Sequence, residues 1–177
     1  MRLETERLIL RRWEPRDLDP FARMSADPEI MDWLGGVLTR DEAAAYMARS
    51  EASFDTAGMG RFAIERRSDG VFLGSSGLMP GRENLPMAPF IDIGWRLARE
   101  AWGHGYAQEA ARAVARDGFE RLGFDEILAV TTATNRRSRA VMERVGFTYD
   151  PGRDFEWPSY PPGDPMRPTV VYAARRS

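Results

Sequence analysis

The sequence predicts an α/β fold in which helices cover both faces of a mixed β-sheet. Three observations predict it. Apolar runs with a two-residue period alternate with runs at helical spacing, in the order strand, two helices, three strands, helix, strand, helix, two strands. The segment Phe90–Leu97 alternates cleanly, with Ile91, Ile93, Trp95 and Leu97 on one side and Asp92, Gly94 and Arg96 on the other. The unit from Phe90 to Thr132 reads strand, helix, strand, a crossover that pairs its two strands in parallel with right-handed sense.

Each element has its own signal. Arg7–Trp13 is a first strand, closed by Glu14-Pro15. Asp17–Ser25 is a short helix that stops before Asp27-Pro28. Thr39 and Glu42 stand at capping-box spacing and open an alanine-rich helix to about Phe54, with Gly58 and Gly60 breaking it. Strands Arg61–Arg66 and Val71–Met79 flank Ser68-Asp69-Gly70, a hairpin signal. Pro80–Pro89 is a loop, and Phe90–Leu97 is the strand described above. After Trp102-Gly103-His104-Gly105, a helix runs to about Leu122, buries a stripe of Tyr106, Ala110, Ala111, Ala113 and Val114, and ends at Gly123. Ile127–Thr132 is apolar on both faces, as in a strand between two layers. Thr134-Asn135 starts a helix that ends at Gly146. Phe147–Tyr149 and Thr169–Ala173 are strands, separated by a proline-rich excursion, 150–168, too long for a hairpin turn.

Length and composition exclude several functions. A chain of 177 residues suits a single domain spanning 1–177. With no cysteine there is no disulfide, thiolate nucleophile or cysteine-ligated zinc, and one histidine excludes a poly-histidine metal site. No metal is expected. A net charge of −2 argues against a broad basic field for nucleic acid. All 25 basic residues are arginine, which codon bias explains. No apolar run approaches a membrane span and the first residues hold no apolar leader, so the expected location is cytoplasmic, with no membrane partner.

Two constellations can carry chemistry. Trp102-Gly103-His104-Gly105-Tyr106-Ala107 lies between a strand and a helix, where free first-turn amides bind anions and glycines allow close approach. The plainer alternative is a tight turn. Asn135-Arg136-Arg137-Ser138 opens the next helix, and taken alone it reads first as helix capping by Thr134 or Asn135 with solvated arginines. Both helix starts follow the carboxyl ends of adjacent parallel strands, however, and would meet around one cleft.

Taken together, Ile91-Asp92-Ile93-Gly94-Trp95-Arg96-Leu97, then Trp102 through Ala110, Asn135-x-x-Ser138 and Val145-Gly146-Phe147 resemble the GNAT superfamily of acyl-CoA-dependent N-acyltransferases. The opening Glu4-Thr5-Glu6-Arg7-Leu8-Ile9-Leu10-Arg11 resembles its ribosomal-protein N-acetyltransferase branch. The resemblance implies a mostly antiparallel sheet with a splayed parallel pair and acetyl-CoA as cosubstrate. Its pantetheine arm would lie along the backbone of Ile93, Gly94 and Trp95. It implies a pyrophosphate held by the loop from Trp102 to Ala107, through the amides of Gly103, His104, Gly105, Tyr106 and Ala107. It also implies Asn135 against the cofactor and Ser138 near the thiol. Trp102 departs from the usual Gln or Arg, and Met142 stands where many members have the tyrosine that protonates the leaving thiolate, which makes Ser138 its substitute.

The expected reaction is acetyl transfer to a primary amine, on a peptide N-terminus or a small molecule, by direct attack in a ternary complex. The protein would be a monomer or homodimer. Asp92 is the candidate base, with a plain ion pair to Arg96 as the alternative; Glu156 in the late excursion, or water, competes. Asp154, Glu156 and Asp164, interleaved with Phe155, Trp157 and Tyr160, suggest a loop that receives a cationic amine, or else a surface loop packed on the sheet edge. The rival readings are a non-catalytic acyl-CoA-binding regulator and a protein-interaction module.

Overall fold

The computed structural model describes residues 1–176. Its strands are β1 (Arg2–Glu4), β2 (Leu8–Arg11), β3 (Arg61–Arg66), β4 (Phe72–Pro80), β5 (Ile91–Leu97), β6 (Glu126–Thr132), β7 (Thr148–Tyr149), β8 (Phe155–Glu156) and β9 (Pro168–Arg175). Its α-helices are α1 (Leu18–Ser25), α2 (Pro28–Met31), α3 (Arg40–Ala57), α4 (Tyr106–Glu120) and α5 (Arg136–Val145). The strands form one sheet in the order β1-β2-β3-β4-β5-β6-β9-β7, and β8 pairs with the start of β9 on the edge that also carries β7. Only β5 and β6 run parallel, as the crossover predicts; the other neighbours are antiparallel.

Two-residue alternation puts a core on each face. In β3, Phe62 and Ile64 face α4 and α5 in a core with Val114, Ile127 and Met142, while Ala63 faces a second core with Trp13, Phe21, Met31 and Ala43 from the α1–α3 side. In β6, Ile127 and Ala129 join the first core and Leu128 joins Val171 and Phe155 on the other face. The predicted small-residue stripe of α4 is buried throughout. The capping box forms: Thr39 N–H donates to Glu42 Oε2 at 2.7 Å and Glu42 N–H to Thr39 Oγ1 at 3.2 Å.

The differences are at the ends of the chain and of its elements. β1 is an additional strand, only three residues long and largely exposed, so it leaves little periodicity to read. The first predicted strand stops at Arg11 because Arg11 closes a bidentate pair on Asp17, at 2.7 and 2.9 Å, which folds the chain into the turn before α1. α3 continues to Ala57, and two residues of the proline-rich excursion become β8. No helix is long and apolar enough to cross a membrane, and no cluster of three or more His, Asp or Glu is placed to hold a metal, among the described residues.

Candidate active site

β5 pairs with β4 along its whole length, from Gly74↔Leu97 to Pro80↔Ile91, but meets β6 at the single pair Asp92↔Leu128. From Ile93 onward, the edge of β5 that faces β6 has no strand partner, so the stretch Ile93, Gly94 and Trp95 runs along a gap, with Gly94 O turned to β4, where it accepts from Ser76 Oγ at 3.0 Å. A cleft of about 690 Å³ opens there, on the α1–α3 side of the sheet, with Asp92, Gly94 and Arg96 on one wall and Val130, Thr131 and Thr132 on the other.

At the far end of β5, Trp102 Nε1 donates to Leu97 O at 3.0 Å and fixes the turn into α4. Gly103 and Gly105 both sit at φ +78°, a conformation that costs other residues strain. Gly105 is the N-cap of α4 and offers no side-chain cap, which leaves the first-turn amides free for an anion. A Cβ at Gly103 would meet nothing within 4 Å, so that side of the loop is open. His104 is exposed, its ring stacked on Tyr106 at 5.5 Å, and Tyr106 itself is buried in the first core, leaving only its backbone, like that of Ala107, for the loop's surface.

The start of α5 lies beside this loop: the Arg137 guanidinium stacks over the Trp102 ring at 4.4 Å. Asn135 caps α5 by accepting from Ser138 N–H at 3.1 Å, and its amide donates to Thr131 Oγ1 at 3.0 Å, so its side chain ties the helix start to the cleft wall. Ser138 is half-buried, and its hydroxyl has no hydrogen-bond partner among the described residues. Arg139 is engaged elsewhere, donating to Tyr172 Oη and to Ala133 O. Met142 is fully buried in the first core and can donate no proton.

The partner of Asp92 is not Arg96. It is Arg61, whose guanidinium crosses β4, donates to Gly77 O and closes on Asp92. Gly94 leaves room for the crossing: a Cβ there would fall 2.8 Å from Arg61 Nη1 and push the guanidinium aside. Burial pushes the Asp92 carboxyl up from its ordinary value, against the opposing pull of Arg61 and of Arg82. Arg96 points across the same face onto the rings of Phe21 and Tyr46, at 5.6 and 5.0 Å. Sequence reasoning missed Arg61: it is two strands away from Asp92, and no local spacing links them.

The excursion 150–168 reaches the cleft with Trp157, Ser159, Tyr160 and Met166, and with none of its carboxylates. Its carboxylates are occupied: Asp154 accepts from Tyr149 Oη and Val171 N–H, Asp164 from Met166 N–H, and Glu156 from Arg167 Nε at 2.6 Å. Strand alternation explains Glu156: in β8, Phe155 turns inward onto Leu128 and Val171, which turns Glu156 to solvent, with 65% of its side chain exposed. Asp92 therefore lines the cleft beside the splay, Ser138 stands in the first turn of α5 behind the Asn135 cap, and Glu156 is not among the residues that line the cleft.

The acetyltransferase (GNAT) domain family matches the chain over residues 7–148. An uncharacterized protein of Bacillus subtilis, YkkB, is 31% identical over 149 residues, covering 84% of this chain and 86% of its own. The FsC-acetyl coenzyme A-N(2)-transacetylase of Aspergillus fumigatus is 30% identical over 148 residues, 80% of this chain and 62% of its own. Among solved structures, an acetyltransferase from Agrobacterium tumefaciens superposes with a TM-score of 0.80 at 30% identity, covering 99% of this chain and 95% of its own.

Proposed function

The chain belongs to the GNAT acetyltransferase family, and from that membership we propose that it transfers an acetyl group from acetyl-CoA to a primary amine by direct attack within a ternary complex. One observation carries the reading. The uncapped start of α4, with two left-handed glycines, stands beyond the end of the strand whose unpaired edge borders the cleft, and Asn135, the cap of α5, donates to Thr131 on the far wall.

The residues fit the cosubstrate. Amides of Gly103, His104, Gly105, Tyr106 and Ala107 would hold the pyrophosphate, as a helix start holds anions. The backbone of Ile93, Gly94 and Trp95 along this edge would take the pantetheine amides by strand-like pairing, with Gly94 O already accepting from Ser76 Oγ at 3.0 Å. Acetyl-CoA supplies the activated acyl group. An amide at Gly94 or Trp95 would stabilise charge on the acyl oxygen. Ser138, half-buried with an uncommitted hydroxyl, would donate to the departing sulfur. A free thiol has a pKa of about 8.5, so weak acid assistance suffices. Asp92, made more basic by burial, would remove a proton from the ammonium directly or through water. A peptide N-terminus as acceptor rests on the opening-segment resemblance alone.

The test is calorimetry with CoA and acetyl-CoA, followed by turnover with an amine panel. Binding of unit stoichiometry with release of free CoA on acceptor addition supports the enzyme; binding without turnover supports the regulator; no binding leaves the interaction module.

A further inference from the structure

The cleft is strongly biased in charge. Four arginines line it, Arg49, Arg61, Arg82 and Arg96, against the one carboxylate of Asp92. Arg61 is consumed by Asp92. Arg49 and Arg82 lie exposed, where an arginine without a counter-ion is ordinary. Arg96 is different. It is half-buried, its Nε has neither solvent contact nor hydrogen-bond partner, Nη1 donates to Ser25 Oγ at 3.4 Å, and it has no carboxylate partner among the described residues. Burial of a guanidinium without a counter-ion is costly. The rings of Tyr46 and Phe21 hold the cation in place and offset part of that cost, but supply no acceptor for its N–H groups. Nε is shut off from solvent and Nη1 leans on Ser25, so Nη2, which has no partner among the described residues, is the donor this cleft-wall guanidinium keeps for an oxyanion.

We propose that the acceptor is a small amine that also carries an oxyanion, a carboxylate or a phosphate-type group, and that Arg96 binds that oxyanion and so determines specificity. The inference rests on the acetyl-transfer reading above. Arg96 shares the cleft face of β5 with Gly94, two residues away, roughly 7 Å along the strand. With the amine at the splay beside Gly94, that separation suits both groups within one molecule. Trp157 and Tyr160 add aromatic surface to the same cleft, against which the body of the acceptor packs. A purely cationic amine, which the acidic residues of the late excursion had suggested, would meet an excess of positive charge instead.

The experiment compares phenylalanine, its phosphonate analogue and phenethylamine as acceptors, by release of CoA thiol; a chain without cysteine adds no background. The expected result is a kcat/KM at least tenfold higher for an oxyanion-bearing amine than for phenethylamine, and the better of the two identifies the anion. Arg96→Met should bring the ratio within twofold, and Arg96→Lys should retain part of it. Phenethylamine as the equal or better acceptor, or a preference that survives Arg96→Met, overturns the proposal. A second arm needs no turnover: 3-phenylpropanoate titrated into the enzyme should bind at least tenfold tighter than 3-phenylpropanamide, and equal binding overturns the proposal. Loss of acetyl-CoA binding would instead count against the transferase reading and leave this titration to decide the anion site by itself.

Discussion

Arg7 closes on Glu109 through two nitrogens, Nε and Nη2, each 2.7 Å from Oε2, and so locks the β1–β2 hairpin to the first turn of α4. The same guanidinium donates to His104 O at 2.9 Å and lies over the Tyr106 ring at 4.8 Å. Thr5 Oγ1 and Arg7 N–H complete the carboxylate's shell at 2.6 and 2.9 Å. A chain segment about a hundred residues away in sequence thereby sets the shape of the glycine loop that would hold pyrophosphate.

Glu109→Gln should therefore loosen that loop. Burial raises the Glu109 carboxyl, but hydrogen bonds from Thr5 and Arg7 outweigh it and bring it below the ordinary 4.5. A depressed carboxylate adds stability above its unfolded pKa and loses it as pH falls through the folded one. The variant should lose about 1–2 kcal/mol at pH 7, toward the low end for charged hydrogen bonds because Arg7 is partly exposed. Denaturant titrations should show the gap from wild type constant down to about pH 4.5 and shrinking below it. Acetyl-CoA affinity should fall along with stability.

Gly105 separates the fold from the ligand more sharply. A Cβ there would find only Arg7 Nη2, at 3.5 Å, so the fold has room for a side chain, and the left-handed φ is one that asparagine tolerates. Gly105→Asn should keep a melting temperature within a few degrees of wild type and weaken acetyl-CoA by tenfold or more in calorimetry, because its side chain occupies the anion's approach. Unchanged affinity would remove this loop from the binding site.

Much of this site could be read in the sequence because its parts are local. The strand alternation that puts Asp92, Gly94 and Arg96 on one face, the glycines before α4 and the Asn135 cap each lie within one short window. The Arg61–Asp92 pair was not legible, because it reaches from β3 across β4 to β5, over the space left by Gly94. Nor was the fate of Glu156: two residues of strand give no period, and the pairing of β8 with Pro168 and Thr169 decides which side chain turns outward. The acidic character of residues 150–168 suggested a cation site, yet every one of Asp154, Glu156 and Asp164 is spent on a neighbour within the excursion, β7 or β9.

Asp92 should govern the acid limb of the rate profile. Its burial favours the neutral acid, so the group ionises at a higher pH than a free carboxyl, about 3.9. A base works only when ionised, so kcat should rise with pH through that elevated value. Asp92→Asn should remove the limb and lower kcat by about 10²–10⁴-fold, the usual weight of general acid–base catalysis. A limb that persists unchanged in the variant assigns proton removal to water.

Ser138→Ala should lower kcat with little change in the KM for acetyl-CoA, since assistance to the departing sulfur matters only in the transition state. The capping contact is made by the Ser138 backbone N–H, not its hydroxyl, so α5 should fold normally in the variant. A wild-type kcat under conditions where chemistry is rate-limiting would rule out the hydroxyl.

The late excursion divides between two neighbours. Glu156 faces solvent and holds only Arg167, an exposed pair worth about 0–1 kcal/mol, so Glu156→Gln should leave kcat/KM for every acceptor within twofold of wild type. Trp157, the next residue, turns into the cleft, packs near Phe155 at 5.7 Å and carries the Arg82 guanidinium at 5.0 Å on its ring. Trp157→Ala should remove both an aromatic wall and the support that directs Arg82, raising the acceptor KM by tenfold or more while leaving the KM for acetyl-CoA unchanged. Steady-state kinetics with both substrates varied separates the two effects. A Trp157→Ala enzyme with wild-type acceptor KM would show that the acceptor enters without touching this loop, and an impaired Glu156→Gln enzyme would return a role to the carboxylate that the structure turns outward.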